Sequence, residues 1–185
     1  MAHEPRQFLK RLAASWRKEF PFLKPVDLDE VPRVPKGCNF LCDAYGASRG
    51  YYYFVTLDFS PKRRGDFTVG ITVSTSPNRS TLDPGETSRP SASTVGSYGI
   101  WQFMGRPRFV WALVDLEAER DALFAELGTP MPELGRRRSP NVWQPSTYGQ
   151  PFEKIADEAI AHLNHTLRTE VFPVLEIETS EPASA

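Results

Sequence analysis

The chain has 185 residues and a formal net charge of −1, and 40% of its residues are hydrophobic. These values exclude collagen-like and fully disordered chains, and a net charge close to zero provides no global field that would attract nucleic acid. The length suits one hydrophobic core rather than two. We therefore expect a single domain over residues 1–175, followed by an acidic, flexible tail over residues 176–185.

The first predicted element is an amphipathic helix over residues 5–20. Its apolar side chains recur at helical spacing and form one stripe: Phe8, Leu9, Leu12, Trp16 and Phe20. Basic side chains occupy the opposite side of this helix, which is typical of a solvated surface. Pro21 and Pro25 end the helix and begin an irregular segment, because proline disrupts helical hydrogen bonding.

A predicted strand over residues 38–45 contains both cysteines of the chain. Cys38 and Cys42 are four residues apart, so we expect them on one face of the strand and roughly 13 Å from each other. That distance is too long for a disulfide without a bend in the strand. We interpret the two side chains as buried, reduced thiols.

A hairpin over residues 51–75 is the clearest feature of the sequence. Its odd positions carry large apolar side chains and its even positions are mostly polar, with a basic loop and Gly65 between the two strands. The predicted cross-strand pairs are Phe59 with Phe67, Leu57 with Val69, Val55 with Ile71, and Tyr53 with Val73. A slip by one residue would expose all of these side chains to water. Four of them are expected to be the most buried strand residues: Val55, Leu57, Val69 and Ile71.

Two long loops are predicted, at residues 76–97, which are rich in Ser, Thr, Pro and Gly, and at residues 128–150. Between them, residues 98–114 are interpreted as two strands split by the sequence GRPR. The second apolar run, VWALV, could equally begin a helix. A further helix follows, with Asp115 as its cap and Gly128 at its end.

The last predicted helix covers residues 152–171. Its apolar side chains fall within a narrow arc, as a core-facing helix requires: Phe152, Ile155, Ala156, Ala159, Ile160, Leu163 and Leu167. The order of elements predicts an α+β domain with a four- to five-stranded antiparallel meander sheet. The N- and C-terminal helices are expected to cover the face formed by the odd-numbered hairpin residues, which leaves the other face more open.

Three apolar motifs follow one another along the chain: a strand of the type FxVxIxV, a Trp-containing segment and a final V-x-P-x-L motif. The corresponding residues are Phe67, Val69, Ile71, Val73, Trp111, Val171, Pro173 and Leu175. In this layout the chain resembles a group of small bacterial α+β domains of unknown function. The resemblance implies a bacterial source and transfers no catalytic residue, and the two long loops depart from the pattern.

A candidate metal site lies on the last helix, where Glu158, His162 and His165 fall within about 60° of one another. Carboxylate and imidazole groups are suitable ligands for zinc or iron. However, these three residues lie opposite the apolar arc, where a solvated helix face is the simpler interpretation. We therefore predict no metal and no cofactor.

Candidate catalytic groups are few in this sequence. No G-x-S-x-G elbow is present, and neither cysteine has a histidine close in sequence. Asp43, Asp58 and Asp66 could gather on the polar sheet face as an acid–base or metal-binding cluster, although solvation at strand ends explains them more simply. We expect a protein without enzymatic activity and keep a small enzyme or metal-binding domain as a second alternative.

Aromatic and basic residues give the main binding hypothesis. Tyr52 and Phe54 are aromatic residues on the otherwise polar sheet face, where they either form an exposed platform or pack under one of the two long loops. Basic residues are expected to surround that face: Lys62, Arg63, Arg64, Arg106, Arg108, Arg136, Arg137 and Arg138. Exposed rings with arginines at their rim bind single-stranded nucleic acid by stacking and phosphate contacts, and the same residue types anchor protein interfaces.

The net charge of −1 favours a protein partner over nucleic acid, since a nucleic-acid-binding domain of this size usually has a basic excess. The predicted function is therefore that of a non-enzymatic, protein-binding domain of accessory or immunity-like type, with single-stranded nucleic-acid binding as the alternative. No secretory signal follows Met1, and no apolar run reaches the roughly 18 residues that a membrane helix needs. We accordingly expect a cytoplasmic protein without membrane contact.

Overall fold

The computed structural model describes residues 3–31, 37–46, 49–60, 65–76, 94–115, 122, 124–128 and 141–177. The α-helices with defined bounds are α1 (His3–Glu19), α2 (Ile100–Phe103), α3 (Phe152–Thr166) and α4 (Phe172–Leu175). The strands are β1 (Lys24–Pro25), β2 (Cys38–Gly46), β3 (Tyr51–Phe59), β4 (Asp66–Ser74), β5 (Thr94–Gly99), β6 (Val110–Ala112) and β7 (Val142–Trp143). A 3-10 turn spans Leu28–Glu30, and a π-helical turn, Leu167–Val171, joins α3 to α4.

The described strands form one sheet in which β1, β2, β3 and β4 are neighbours in that order, all antiparallel. The free edge of β4 is shared by two strands, because β5 pairs with its C-terminal half and β6 with its first two residues. Strand β7 then pairs with β6 in parallel. The α+β class is confirmed, but the predicted meander of four or five strands is too small and too simple for this seven-stranded, mostly antiparallel sheet.

The predicted register of the central hairpin is confirmed at every pair. Phe59 lies opposite Phe67 and Leu57 opposite Val69, and the pairs Val55 with Ile71 and Tyr53 with Val73 follow. These side chains form the first face of the sheet, which we define by the odd-numbered residues of β3 and β4. The four residues predicted to be most buried are at most 1% exposed: Val55, Leu57, Val69 and Ile71.

Helices α1 and α3 cover the first face, as predicted. Phe8 and Trp16 of α1 are fully buried, and their rings lie 4.8 Å from that of Phe67 and 5.6 Å from that of Phe40, respectively. The indole nitrogen of Trp16 donates a 2.8 Å hydrogen bond to the buried Asn164 side chain of α3. Because a buried indole N–H needs an acceptor, this bond fixes one helix against the other.

The second face, which carries the even-numbered residues of β3 and β4, has a smaller apolar cluster. Its buried members are Val31, Cys38, Leu41 and Phe54. The two cysteines lie on opposite faces, contrary to the prediction, because a β-bulge shifts the pairing between Cys38 and Phe40. Both are buried free thiols, as expected, and burial raises the pKa of Cys38 to about 11 and also raises that of Cys42.

The segment over residues 98–114 differs from the prediction in its first half. Strand β5 ends at Gly99, and the next four residues form α2 instead of continuing as a strand. The side-chain oxygen of Gln102 accepts the N–H of Gly99 at 2.8 Å, which caps this helix. The second apolar run does form a strand, β6. Of the helix predicted after Asp115, residues 116–121 and 123 lie outside the described residues, whereas residues 124–126 are helical.

Most of the two predicted long loops, residues 77–93 and 129–140, lies outside the described residues, as do residues 178–185 of the predicted tail. The first two residues of the predicted tail, Glu176 and Ile177, are described, and the Ile177 side chain is buried in the core cluster. Among the described residues, none of the helices has both the length and the apolar composition required to cross a membrane.

Candidate functional site

Of the two alternatives for the second face, the structure does not show the exposed aromatic platform. Phe54 is fully buried in a small cluster with Val31, and the chain around β1 and the following 3-10 turn packs Val26 and Leu28 against this cluster. Tyr52 is half-buried, and its ring lies 4.9 Å from that of Tyr45. Among the described residues, the cover over the cluster that contains Phe54 is thus an N-terminal segment, whereas most of the two long loops lies outside the described residues.

The predicted basic rim is only partly described. Arg106 and Arg108 are exposed, and the Arg106 guanidinium lies 5.0 Å from the centre of the Phe109 ring. Phe109 belongs to the core of the first face, so Arg106 is separated from Tyr52 by the sheet. The other predicted members lie outside the described residues: Lys62, Arg63, Arg64, Arg136, Arg137 and Arg138.

The candidate metal ligands of α3 are engaged in other contacts. Glu158 accepts hydrogen bonds from the backbone and hydroxyl of Ser146, each at 2.9 Å, and from Gln150 at 2.7 Å, and these bonds lower its pKa. His165 is exposed. Across the part of the chain that the structure describes, no group of three His, Cys, Asp or Glu side chains is placed to hold a metal ion.

His162 does not lie on a solvated helix face, which corrects the prediction. Its Nδ1 accepts a 3.2 Å hydrogen bond from the indole nitrogen of Trp111, and its ring is 5.9 Å from those of Phe109, Trp111 and Trp143. Burial lowers the pKa of His162. The cause is the extension of the sheet by β6 and β7, which reach the side of α3 that helical periodicity alone assigns to solvent.

The three aspartates of the catalytic alternative do not converge with a histidine in the described structure. Asp43 and Asp58 lie on the second face, opposite Phe54 and Cys38 in the sheet register, whereas His162 lies on the first. The Oδ1 atom of Asp58 is buried and has no hydrogen-bond partner among the described residues. Burial therefore raises the pKa of Asp58 to about 6. Asp66 is buried at the start of β4 and pairs with Ala112 in the register.

An open pocket lies at the other end of the first face, beside α2 and α4. Its volume is about 530 Å³, which is within the range of ligand-binding clefts. The turn before β3, strands β3, β4 and β5 and the two short helices line it, with the residues Arg49, Tyr51, Tyr53, Val73, Val95, Tyr98, Gln102, Phe103, Val174 and Leu175. We refer to this site as the aromatic pocket.

The aromatic walls follow from strand alternation and from one glycine. Tyr51 and Tyr53 are odd-numbered residues at the start of β3, so both side chains extend onto the first face. Tyr98 lies over Gly96, where an added Cβ would be 2.3 Å from the tyrosine oxygen. Only glycine leaves room for this ring, which also meets Phe103 edge-on at 5.9 Å.

The short helix α4 supplies the remaining wall. The π-helical turn precedes Pro173, whose ring is incompatible with the carbonyl four residues earlier in a regular helix. Beyond this turn, Leu175 points into the core and Val174 is exposed. The hydroxyl of Tyr53 donates a 2.9 Å hydrogen bond to the carbonyl of Leu175, which ties α4 to the sheet.

One ion pair stands at the rim of the aromatic pocket. The Arg49 Nε donates to one carboxylate oxygen of Glu176 at 2.9 Å, and the Arg49 Nη2 donates to the other oxygen. The contact is therefore bidentate, which is the preferred geometry of guanidinium with carboxylate. These hydrogen bonds lower the pKa of Glu176. Glu176 has a left-handed backbone, with a φ of 53°, at the end of α4.

The sequence prediction missed this site. Strand alternation places Tyr51, Tyr53 and Val73 on the face predicted to form the core, and no motif marks Arg49 or Val174 as a binding residue. The only available signal is at the start of the hairpin, where large aromatic residues occupy the first positions of β3. Whether a helix covers that end depends on the lengths of α2 and α4, which apolar periodicity does not determine.

Comparisons with known proteins add no relative: no family model, curated protein or solved structure matches the chain. The resemblance to small bacterial α+β domains therefore stays a prediction from residue pattern. The geometry of the described residues is the basis for any functional interpretation.

Proposed function

We propose that the chain is a non-enzymatic binding protein of the bacterial cytoplasm, of accessory or immunity-like type, whose aromatic pocket receives an apolar segment of a protein partner. The supporting observation is a cluster of exposed hydrophobic side chains. Val95 is 53% exposed, Tyr98 38% and Val174 58%, and all three line the pocket. They are three of the five large hydrophobic residues that are exposed in the described structure. Such clustering is typical of interaction sites.

The chemistry of the lining favours binding over catalysis. Among the described residues that line the pocket, none is a carboxylate, histidine, cysteine or serine that could act as a base or nucleophile. The hydroxyl of Tyr53 is held by Leu175, and burial raises the pKa of this tyrosine. A raised pKa keeps the phenol protonated, so it does not supply a base at neutral pH.

A protein partner suits the pocket better than nucleic acid does. Arg49 is the one cation in the described lining, and it is paired with Glu176. Nucleic-acid binding depends on several cations that neutralise phosphates. Tyrosine and arginine beside exposed aliphatic side chains are instead characteristic of the central residues of protein interfaces.

Site-specific photocrosslinking tests this proposal. A p-benzoylphenylalanine residue is introduced at Val95 in one variant and at Leu127 in a matched control, since Leu127 is 65% exposed and does not line the pocket. Both variants are expressed in the source cells, irradiated and purified under denaturing conditions. Mass spectrometry then identifies the crosslinked species, and a melting curve of each variant verifies folding.

We expect a defined protein to crosslink at position 95 and not at position 127, and a soluble peptide from the identified segment to compete for it. The same adduct at both positions would contradict a role for the pocket. Recovery of crosslinked nucleic acid, lost after nuclease treatment, would favour the nucleic-acid alternative over a protein partner.

A further inference from the structure

The pair formed by Arg49 and Glu176 provides a more specific clue to the partner. It joins the chain between β2 and β3 to the end of α4, so residues distant in sequence hold a carboxylate beside an apolar pocket. Both side chains are exposed, at 44% and 54% of their surface. Exposed ion pairs contribute little to stability, because water and salt screen them. This carboxylate is therefore readily exchanged for another.

The position of Arg49 connects the ion pair with the pocket. Its side chain is part of the pocket wall, together with Tyr51 and Tyr98, whereas Glu176 contacts it from the rim. A ligand whose apolar group fills the pocket would bring its own carboxylate to the same guanidinium edge. The bidentate geometry of the internal pair shows that this edge is oriented to receive a carboxylate.

We propose that the aromatic pocket binds the C-terminal residue of a partner protein, and that the free carboxylate of this residue replaces Glu176 on Arg49. The inference rests on the proposed function and specifies its ligand. A chain end carries an apolar side chain and a carboxylate on the same residue, which matches an apolar cavity with a cation in its wall. Val95 and Val174 line the cavity and are more than half exposed, and a partner protein covers more of this apolar surface than a small molecule does.

The amide of Gln102 supports the same mode of binding. Its oxygen accepts the N–H of Gly99 at 2.8 Å, so its NH₂ group is the part that can donate a hydrogen bond into the pocket. A peptide backbone offers carbonyl acceptors next to its terminal residue. The site thus combines a donor for the backbone, a cation for the carboxylate and an apolar cavity for the side chain.

The test compares N-acetyl-Leu-Phe as a free acid with the same dipeptide as a C-terminal amide. Each is titrated into the ¹⁵N-labelled full chain, and the backbone amide signals of Tyr98 and Gln102 report occupancy. The protein variants are the unmodified chain, Glu176→Gln and Arg49→Gln. A third ligand, 4-phenylbutyrate, tests whether a small apolar acid is sufficient.

We expect the acid to bind about three- to tenfold more tightly than the amide, because the carboxylate forms charge-assisted hydrogen bonds. In Glu176→Gln this preference should increase by about threefold, since the competing carboxylate is removed. In Arg49→Gln the preference should disappear while the amide still binds. Melting curves of the variants should match that of the unmodified chain.

Several results would overturn the inference. Equal affinity for acid and amide would show that the pocket takes apolar segments without recognising a chain end, and the proposed function would stand. An acid preference unchanged in Glu176→Gln would exclude exchange with the internal carboxylate. Binding of 4-phenylbutyrate as tight as that of the dipeptide acid would indicate a small-molecule ligand. Absence of any shift would reject this ligand class, whereas the crosslink at position 95 decides the proposed function separately.

Discussion

The first face of the sheet is filled under α1 and α3 and open beside α2 and α4. In the filled region, Phe8, Trp16 and Leu163 are fully buried, and helices of 17 and 15 residues supply them from several turns. In the open region, two four-residue helices each supply only about one turn of side chains, so Tyr98 and Val174 are exposed. The same strands thus provide the stabilising core in one region and a binding surface in the other.

The largest effect is expected from a cavity in the filled region. Leu57→Ala removes a fully buried side chain that lies between Phe40 and Val69 in the sheet register. The free energy of unfolding should fall by about 2 to 5 kcal/mol. Urea denaturation measures it, with Leu127→Ala as the exposed control. A loss no larger than that of the control would show that the region is not a packed core.

A smaller loss is expected from the polar contact inside the filled region. Asn164→Ala removes the acceptor of the buried Trp16 indole N–H, which should cost about 1 to 3 kcal/mol because the donor is left without a partner. Ser15→Ala is the matched control, since the Ser15 hydroxyl accepts from the same asparagine at 3.1 Å but is only part-buried. If both variants lost the same free energy of unfolding, the hydrogen bond to the Trp16 indole would not explain the loss in Asn164→Ala.

Local pattern was sufficient to predict the central hairpin. Alternation over both strands allows one register that places the large odd-numbered side chains together on the first face, and Gly65, with a φ of +76°, provides the turn residue. The stripes of α1 and α3 were predicted for the same reason, because helical period and burial coincide in Leu12 and Leu163. Sequence is informative where one element's own period decides which side is buried.

Features that depend on distant segments could not be predicted in this way. The bulge that separates Cys38 from Cys42 is stabilised by the Asn39 side chain, which accepts the backbone N–H of Phe59 at 2.7 Å. The burial of Phe54 depends on a segment around Val31 that has no periodic pattern. The aromatic pocket likewise results from where helices stop. In each case the decisive contact joins residues whose spacing carries no periodic signal.

His162 marks the outer edge of the filled region and gives it a pH dependence. The pKa of His162 in the folded chain is below the ordinary value of 6.5, chiefly because of burial. As the pH falls through 6.5, the unfolded chain therefore binds more protons than the folded chain does. The free energy of unfolding should therefore decrease with falling pH, and His162→Gln should reduce that decrease. Urea denaturation at several pH values between 7 and 5, chosen as about two units around the imidazole pKa, measures the slope.

Asp58 has the opposite effect on the pH dependence of the free energy of unfolding, so it is replaced before the effect of His162 is measured. Its folded pKa is raised from 3.8 to about 6, so the folded chain binds more protons in this range and becomes less stable as the pH rises through it. The slopes measured with His162 and with His162→Gln are therefore compared in an Asp58→Asn background. If His162→Gln did not change the slope there, the imidazole would not be held neutral by its contacts with Trp111 and the neighbouring rings.

The smallest effect on stability is expected in the open region, and adjacent residues of α4 provide the sharpest contrast. Val174 is 58% exposed, whereas Leu175 is buried against Tyr53. Val174→Ser should change the free energy of unfolding by less than about 0.5 kcal/mol, since it alters an exposed side chain. Leu175→Ser should cost at least about 2 kcal/mol, because it leaves a cavity and buries a hydroxyl.

Val174→Ser should nevertheless weaken crosslinking at position 95, because the side chain forms the rim that a partner covers. A stability loss at Val174 as large as that at Leu175 would mean that this end of the sheet is part of the core, and the division between the filled and open regions would be wrong.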